Sequence, residues 1–508
     1  MKLKLIIRLA VILSLVLLCT AFGVYSFFRL SAEEHRQDFD LFTLVPDDVS
    51  AVVETDQLDE LVRSIDGMKC SQDGVFLYAS DLFVLLKDEL HALQDEAPHG
   101  LSIQMNKMLL SFHRPDDPTN QVLYFAMGRG DYDLMESFIE KSTSAAFPSK
   151  YIDYHGEEIR IYPMVDGRFL SVCLTHNFLV ASFQKRLIEQ VIDTYHSRHS
   201  LAHTKSFKSL PIEAKMQAEA RLYVRMTGVS MGADSLRKQT DVGDWTVYDL
   251  KLEEEAIYCS GVCRDADTAN QSFIHLLKQQ LPTEVSSGDM YPSTTLLYHN
   301  YSLTDKPMTW DFLARYAMVS DTLSALRWKN FVQEYGGEHV QFCLFTDSDS
   351  LAHAVAILPL VDKIKANQLL CSLYPPKRGE KVLTLPDGVL FSGLVGLPHQ
   401  GPLYLDYYNG CLLISNRKES LISYQGFIQR QEVIEGDEKY ERLQSSLSST
   451  CRFLLVADMA KMLQQPEPFI RLIPHYFIKN ARFFGAFTVA MQLTCADDLA
   501  FPNLVLFY

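Results

Sequence analysis

The stretch Asn177–Ile192, NFLVASFQKRLIEQVI, returns in the second half of the chain as Gly410–Gln425, GCLLISNRKESLISYQ, at an offset of 233. In each, a short apolar run reads as a strand, and the residues after it place apolar side chains at the three-to-four spacing of an amphipathic helix. Two such blocks in one chain predict an internal duplication and set the domain plan before any motif is weighed. Neighbouring pieces keep the same order. Phe207 and Leu210 of SFKSL match Tyr440 and Leu443 of KYERL at the same offset. Pro46 of LVPDDVSAVVET answers Pro292 of MYPSTTLLYHN, and NQVLYFAM with DYDLMESFIEKS answers AHAVAIL with KIKANQLLCSL. The closing WTVYDLKLEEEAIYCSGVC answers FTVAMQLTCADDLAFPNLVLFY.

Alternation at Val49, Ala51 and Val53 and at Leu250 and Leu252 predicts half-buried strands, while LIEQVIDTY and LMESFIEK predict helices. No glycine-rich strand–helix fingerprint is present. Consecutive strands separated by single helices predict an α+β fold of mainly antiparallel sheets with helices on one face. The polar stretch EVSSGD separates two expected units, residues 45–285 and 286–508.

The N-terminal segment 1–28, MKLKLIIRLAVILSLVLLCTAFGVYSFF, carries Lys2, Lys4 and Arg8 and then no charge from Leu9 to Phe28. Twenty residues at ~1.5 Å each reach ~30 Å, the thickness of bilayer hydrocarbon. Tyr25, Phe27 and Phe28 suit an interfacial aromatic belt and favour a retained anchor over a cleaved signal peptide. Leu18 before Cys19 departs from a lipoprotein signal. The cations precede the apolar run and Glu33 and Glu34 follow it, so residues 1–8 are expected in the cytoplasm, 9–28 in a bacterial inner membrane, 29–44 as a linker and the body in the periplasm.

The 508 residues are 47% hydrophobic and 22% charged, enough to bury large cores, and the net charge is −16. Lys2, Lys4, Arg8 and Arg29 are the only charges before residue 30, so the exported remainder carries −20. Such a body is repelled by nucleic acid and by anionic headgroups. Nine of the ten cysteines lie beyond the anchor, most in apolar runs such as SVCL, QFCLF and GCLLIS, where they read as small buried hydrophobes. Cys259 and Cys263 are ~13 Å apart along a strand, too far for a bridge.

Among motifs, GVSMG (Gly228–Gly232) has the spacing of a hydrolase nucleophile turn, with Ser230 as its serine. The corresponding Asp458-Met459-Ala460-Lys461 keeps the turn without the motif, and no HGGG-like oxyanion segment follows. Neither His275 nor His299 is marked as a partner. The turn alone explains the glycines. Asp193, His196, His199 and His203 in YHSRHSLAH would share one side of a prolonged helix and could bind zinc or nickel. A helix ending near Ser197 to Ser200 would scatter them instead. LEEEA and QDEAPH lack calcium-ligand spacing and read as solvated turns. Tyr404, Tyr407 and Tyr408 of PLYLDYY are candidates for gripping sugar or peptide, against ordinary cross-strand packing. Asp-Ser/Thr-apolar triplets at Asp234-Ser235-Leu236, Asp267-Thr268-Ala269, Asp321-Thr322-Leu323 and Asp349-Ser350-Leu351 resemble a Bacteroidota O-glycosylation signal.

Pro46 with VSAVVET, the block NFLVASFQKRLIEQVIDTY, and SLAHTKSFKSL with ARLYV resemble a Bacteroidota-like family of membrane-anchored envelope proteins known as a domain of unknown function. The resemblance implies an N-terminal anchor and an exported α+β body, and carries over no active-site residue. The expectation is a non-enzymatic periplasmic binding or scaffold protein without a cofactor, whose partner is an envelope protein or glycan. The alternatives are a serine hydrolase at Ser230 and a periplasmic chaperone or lipid carrier.

Overall fold

A computed structural model describes residues 39–96, 107–113, 117, 119–127, 139, 148–175, 177–212, 216, 218–225, 245–264, 273–285, 288–317, 322–376, 381–386, 401–465 and 475–508. The anchor expected at 9–28 and the cytoplasmic tail before it lie outside these residues, as does most of the linker. The fold is α+β, and the strand pairings within each unit are antiparallel. By its contacts the chain packs as two compact units. One takes the chain up to Val62 together with Tyr78–Ser209, and the other takes Arg63–Leu77 with Leu210–Tyr508.

The first unit holds β1 (Ala51–Thr55), β2 (Met108–Phe112), β3 (Gln121–Ala126), β4 (Lys150–Tyr154), β5 (Glu157–Pro163), β6 (Phe169–Leu174) and β7 (Phe178–Ser182). Their order in the sheet is β1-β2-β3-β7-β6-β5-β4. QVLYFA of β3 and FLVAS of β7 are buried at every position, as central strands covered on both faces must be. The helix α1 (Asp81–Glu96) precedes β2. Helix α2 (Lys185–Ser197) turns Leu187, Ile188, Val191 and Ile192 inward, and Arg198 ends it in the left-handed region at φ 57°. The short helix α3 (Lys205–Lys208) follows and buries Phe207.

The second unit holds β8 (Ala220–Arg225), β9 (Trp245–Leu252), β10 (Ala256–Arg264), β12 (Thr295–Ser302), β13 (His339–Thr346), β14 (Ala352–Pro359), β15 (Leu383–Leu385), β16 (Leu403–Tyr408), β17 (Cys411–Ser415), β19 (Phe453–Asp458), β20 (Thr488–Ala496) and β21 (Leu499–Phe507), while β11 (Thr283–Glu284) and β18 (Thr450–Cys451) pair separately. The main sheet runs β8-β9-β10-β21-β20-β19-β12-β13-β14-β17-β16-β15. Helices α4 (Lys306–Ala317), α5 (Thr322–Tyr335) and α6 (Lys363–Leu373) bring Trp310, Trp328 and Leu370 against Leu297, Phe342 and Leu344. Helices α7 (Lys418–Gln429) and α8 (Glu438–Ser445) bring Leu421, Tyr424 and Tyr440 against Tyr298, Cys343 and Phe345. Successive residues of β13 point to opposite faces, so helices cover this part of the sheet on both faces and not on one. The sequence carries the reason: VQFCLF and AHAVAIL are apolar at nearly every position, whereas a half-solvated strand alternates.

Order and register recur at fixed offsets. The succession β1-β2-β3-β7-β6-β5 has the same connectivity as β12-β13-β14-β17-β16-β15. Leu123 faces Ala181 and Ala356 faces Ile414, both partners displaced by 233. The lone bridge Pro46–Ser200 answers Pro292–Val433, displaced by 246 and 233. Arg198 and Gln431, related by that second offset, share the left-handed conformation at φ 57° and 59°. In the last three strands Ala220 faces Leu250 as Phe453 faces Leu493, which carries β9 onto β20 with an offset of 243.

That offset exposes a local symmetry in the second unit. β10 pairs edge to edge with β21 about Ser260 and Asn503, which are 243 apart, and Ala256 faces Phe507 while Arg264 faces Leu499. Counterpart strands therefore meet across a local two-fold. This seam is why β8–β10, which the sequence placed with residues 45–285, pack in the unit that ends at Tyr508.

Candidate functional site

Ser230 lies outside the described residues, as do Asp234-Ser235-Leu236, Asp267-Thr268-Ala269 and Asp321. Among the described residues no helix is long and apolar enough to cross a membrane. Asp349-Ser350-Leu351 is exposed at the tip of the β13–β14 hairpin, with Ser350 at φ 60°.

The histidines of YHSRHSLAH diverge. Asp193 and His196 sit on the last turns of α2, whereas His199 lies beyond its left-handed end and His203 closes a separate 3-10 turn. Asp193 accepts from Tyr154 Oη at 3.1 Å and stands 3.7 Å from His155 Nε2. His196 Nε2 is 3.8 Å from Glu157 Oε1, so both groups reach the turn between β4 and β5 and not the other histidines. His199 Nδ1 meets the Ser197 carbonyl at 3.0 Å, and His203 Nδ1 meets Ser200 Oγ at 2.8 Å. Among the described residues no three His, Cys, Asp or Glu side chains converge as a metal site would require.

Two serine–histidine–aspartate groupings form, and only that of the second unit is hydrogen-bonded from end to end. In the second unit, His353 Nδ1 lies 3.0 Å from Ser420 Oγ, and its Nε2 lies 2.8 Å from Asp347 Oδ2. The imidazole contact, followed by the amide of Leu351, holds the Asp347 carboxyl below its ordinary value. In the first unit, His113 Nε2 lies 3.0 Å from Ser111 Oγ, which reaches Tyr124 Oη at 3.1 Å, and His113 Nδ1 stands 3.6 Å from Asp48. His113, and after it the 2.9 Å bond from Gln190, draw the Asp48 carboxyl down to about 2 against the opposing effect of burial.

Neither grouping offers a reacting serine. Ser111 and Ser420 are fully buried and His353 is 2% exposed, so a substrate carbonyl has no approach to either hydroxyl. Their local role is visible instead. Asp347 accepts from the amides of Asp349 and Leu351 at 3.0 and 2.9 Å and shapes the hairpin turn, and His353 ties that turn to the start of α7. Sequence reading missed both groupings because their members are scattered, Ser420 lying 67 residues beyond His353. Only strand register brings them together.

His275 lies on the short helix Phe273–Gln279. His299, on β12, stacks on Phe342 with ring centres 5.0 Å apart and planes within 13°, and burial pushes its imidazole down to about 4. Its Nδ1 has no hydrogen-bond partner. The tyrosines of PLYLDYY split between faces: Tyr404 and Tyr408 pack on the α7 side and Tyr407 on the other. Lys418 covers the Tyr404 ring at 5.5 Å, so the three do not form one platform. All nine cysteines among the described residues are free, and Cys259 and Cys263 lie on the single strand β10.

No protein-family model and no curated protein matches the chain. Among solved structures, crystal form III of TP0453 is similar at 10% identity, covering 49% of this chain and 90% of that one with a TM-score of 0.27. Crystal form I of TP0453 is similar at 9% identity, covering 48% and 88% with a TM-score of 0.26. Scores of this size carry no argument about the fold or function of this chain.

Proposed function

We propose that the chain is a duplicated, non-enzymatic binding or scaffold protein of a bacterial envelope, held in the inner membrane by residues 9–28 with its body in the periplasm. The observation that carries this reading is the seam of β10 and β21. Counterpart hairpins join edge to edge there, so that a single antiparallel sheet runs through the second unit. The matching offsets of 233, 243 and 246 support the duplication. The charge-free run from Leu9 to Phe28 supports the anchor. The sealing of both serine–histidine–aspartate groupings favours binding over hydrolysis at Ser111 and Ser420.

The test is photocrosslinking of the anchored protein in cells, with mass spectrometry of whatever is joined to residues 45–508. One dominant envelope partner is the expected result. Recovery of nothing above background, together with fluorophosphonate labelling that is lost in Ser230→Ala, would replace this reading with that of a serine hydrolase.

A further inference from the structure

Polar side chains form a row across the sheet of the second unit. Directly paired residues of neighbouring strands project from one face, so the register sets Arg221, Asp249, Ser260, Asn503 and Gln492 side by side on five adjacent strands. Past Leu454 the row resumes with Asn300 and Gln341 on β12 and β13. Its two ends are closed. Arg221 is buried and donates to Asp249 Oδ1 at 2.7 Å. Gln492 accepts from the amide of Ser448 at 2.9 Å and donates to its carbonyl at 2.7 Å, and Asn300 and Gln341 are buried beyond it.

The middle of the row is open. Ser260 is exposed, and Asn503 and Asp249 are partly so. Among the described residues no hydrogen bond ties down the side chain of Ser260 or Asn503. Two positions along the same face stand half-buried rings, Tyr258 on β10 and Phe501 on β21, which are again 243 apart and thus related by the local two-fold. Tyr258 faces Val505, four residues from Phe501, which sets the two backbone positions about 14 Å apart along the strands at ~3.4 Å per residue.

We propose that this window, with Ser260, Asn503 and Asp249 between the rings of Tyr258 and Phe501, binds a neutral oligosaccharide. A hydroxyl, an amide and a carboxylate supply the donors and acceptors that sugar hydroxyls pair with, and the partly exposed rings of Phe501 and of Tyr258, which also packs on the core beneath α7 and α8, add apolar surface for the C–H face of a pyranose. The net charge of −16 disfavours a polyanionic glycan or a nucleic acid. An extended peptide cannot add to the sheet here, because β10 and β21 are both paired on each side and expose no edge. The proposal rests on the reading of the chain as a binding protein and is independent of its anchor.

The experiment is native electrophoresis of the full chain, in a detergent without a sugar headgroup, through gels containing hydroxyethylcellulose, laminarin, glycogen or galactomannan. At least one polysaccharide is expected to retard the protein. Tyr258→Ala and Asn503→Ala should each weaken that binding by about tenfold while Tyr258→Phe keeps it, and urea titration of the two alanine variants, showing each still folded under the gel conditions, separates lost binding from misfolding. Four inert gels, or retardation that survives both alanine substitutions, overturns the proposal. Four inert gels alongside a crosslinked envelope protein would remove the glycan and leave the scaffold reading standing.

Discussion

Ser182 and Ser415, 233 residues apart at the ends of β7 and β17, make the same two hydrogen bonds. Each Oγ donates to a carbonyl of the neighbouring strand, Gln121 at 2.6 Å and Ala354 at 2.7 Å, and accepts from the amide two residues on, Gln184 at 3.0 Å and Arg417 at 3.2 Å. The carbonyls and the amides are themselves counterparts, displaced by the same 233 as the serines. Both hydroxyls are buried where a central strand hands over to its helix. Alanine at either site leaves a carbonyl and an amide without a partner, at about 1–3 kcal/mol. Urea titration of Ser182→Ala and Ser415→Ala should return two losses of similar size, and a loss at only one site would break the parallel.

These two serines were within reach of the sequence, since FLVAS and CLLIS both end in the serine that precedes the helix. The strand–helix blocks, the antiparallel plan and the helix end near Ser197 were legible for the same reason: each depends on local spacing. The second helical layer was written in VQFCLF and AHAVAIL, whose lack of alternation marks burial on both faces. The seam of β10 and β21 had no local signal, because edge pairing between distant strands depends on register alone. The relay of Asp347, His353 and Ser420 and the row through Ser260 and Asn503 were hidden for that reason too.

His299 gives the second unit a defined acid sensitivity. Its folded value near 4 lies below the ordinary 6.5 of an unfolded imidazole, because burial disfavours the cation. The unfolded chain therefore takes up the proton first. The stability that neutral His299 permits is complete above pH ~6.5 and falls as pH drops from there towards 4, by an amount of order 3 kcal/mol at the lower end. His299→Phe keeps the stacking on Phe342 and removes the proton. Its urea midpoint should change less than that of the wild type between pH 7 and pH 4.5, and parallel pH curves for the two proteins would refute the assignment.

Removing His353 leaves Ser420 and the inner oxygen of Asp347 without their partner, at about 2–4 kcal/mol. Asn120, 233 residues before His353, points to a partial rescue: its Nδ2 donates to Asp117 Oδ2 at 2.7 Å in the β2–β3 hairpin. His353→Asn should therefore fall between wild type and His353→Ala in thermal midpoint, the bond to Ser420 being lost and that to Asp347 kept. In the native protein a fluorophosphonate should leave Ser420 unlabelled. Labelling there would show that the relay opens to solvent.

Asp48 is sensitive in the other acid range. A carboxyl held at about 2 contributes stability that is present above its unfolded value near 3.9 and is lost as pH falls through 2. Solvent reaches much of this side chain, which keeps the contribution under about 1 kcal/mol. Asp48→Asn should thus be slightly less stable than wild type at pH 6, and the two should converge by pH 2. A difference that persists at pH 2 would assign the effect to packing and not to the charge facing His113.

The seam of β10 and β21 depends on one missing side chain. A Cβ at Gly261 would lie 2.4 Å from the carbonyl oxygen of Pro502 and 2.6 Å from the ring of Tyr248. The ring can turn aside, but the carbonyl belongs to the backbone of β21, so the strands themselves must part. Gly261→Ala should cost about 1–3 kcal/mol, the range for overpacking a close contact. Gly67 supplies the comparison, because nothing lies within 4 Å of a Cβ built there. Gly67→Ala should leave the urea midpoint unchanged or raise it slightly by restricting the unfolded chain. Equal midpoints for the two variants would mean that the seam yields easily and that β10 and β21 do not hold the sheet together.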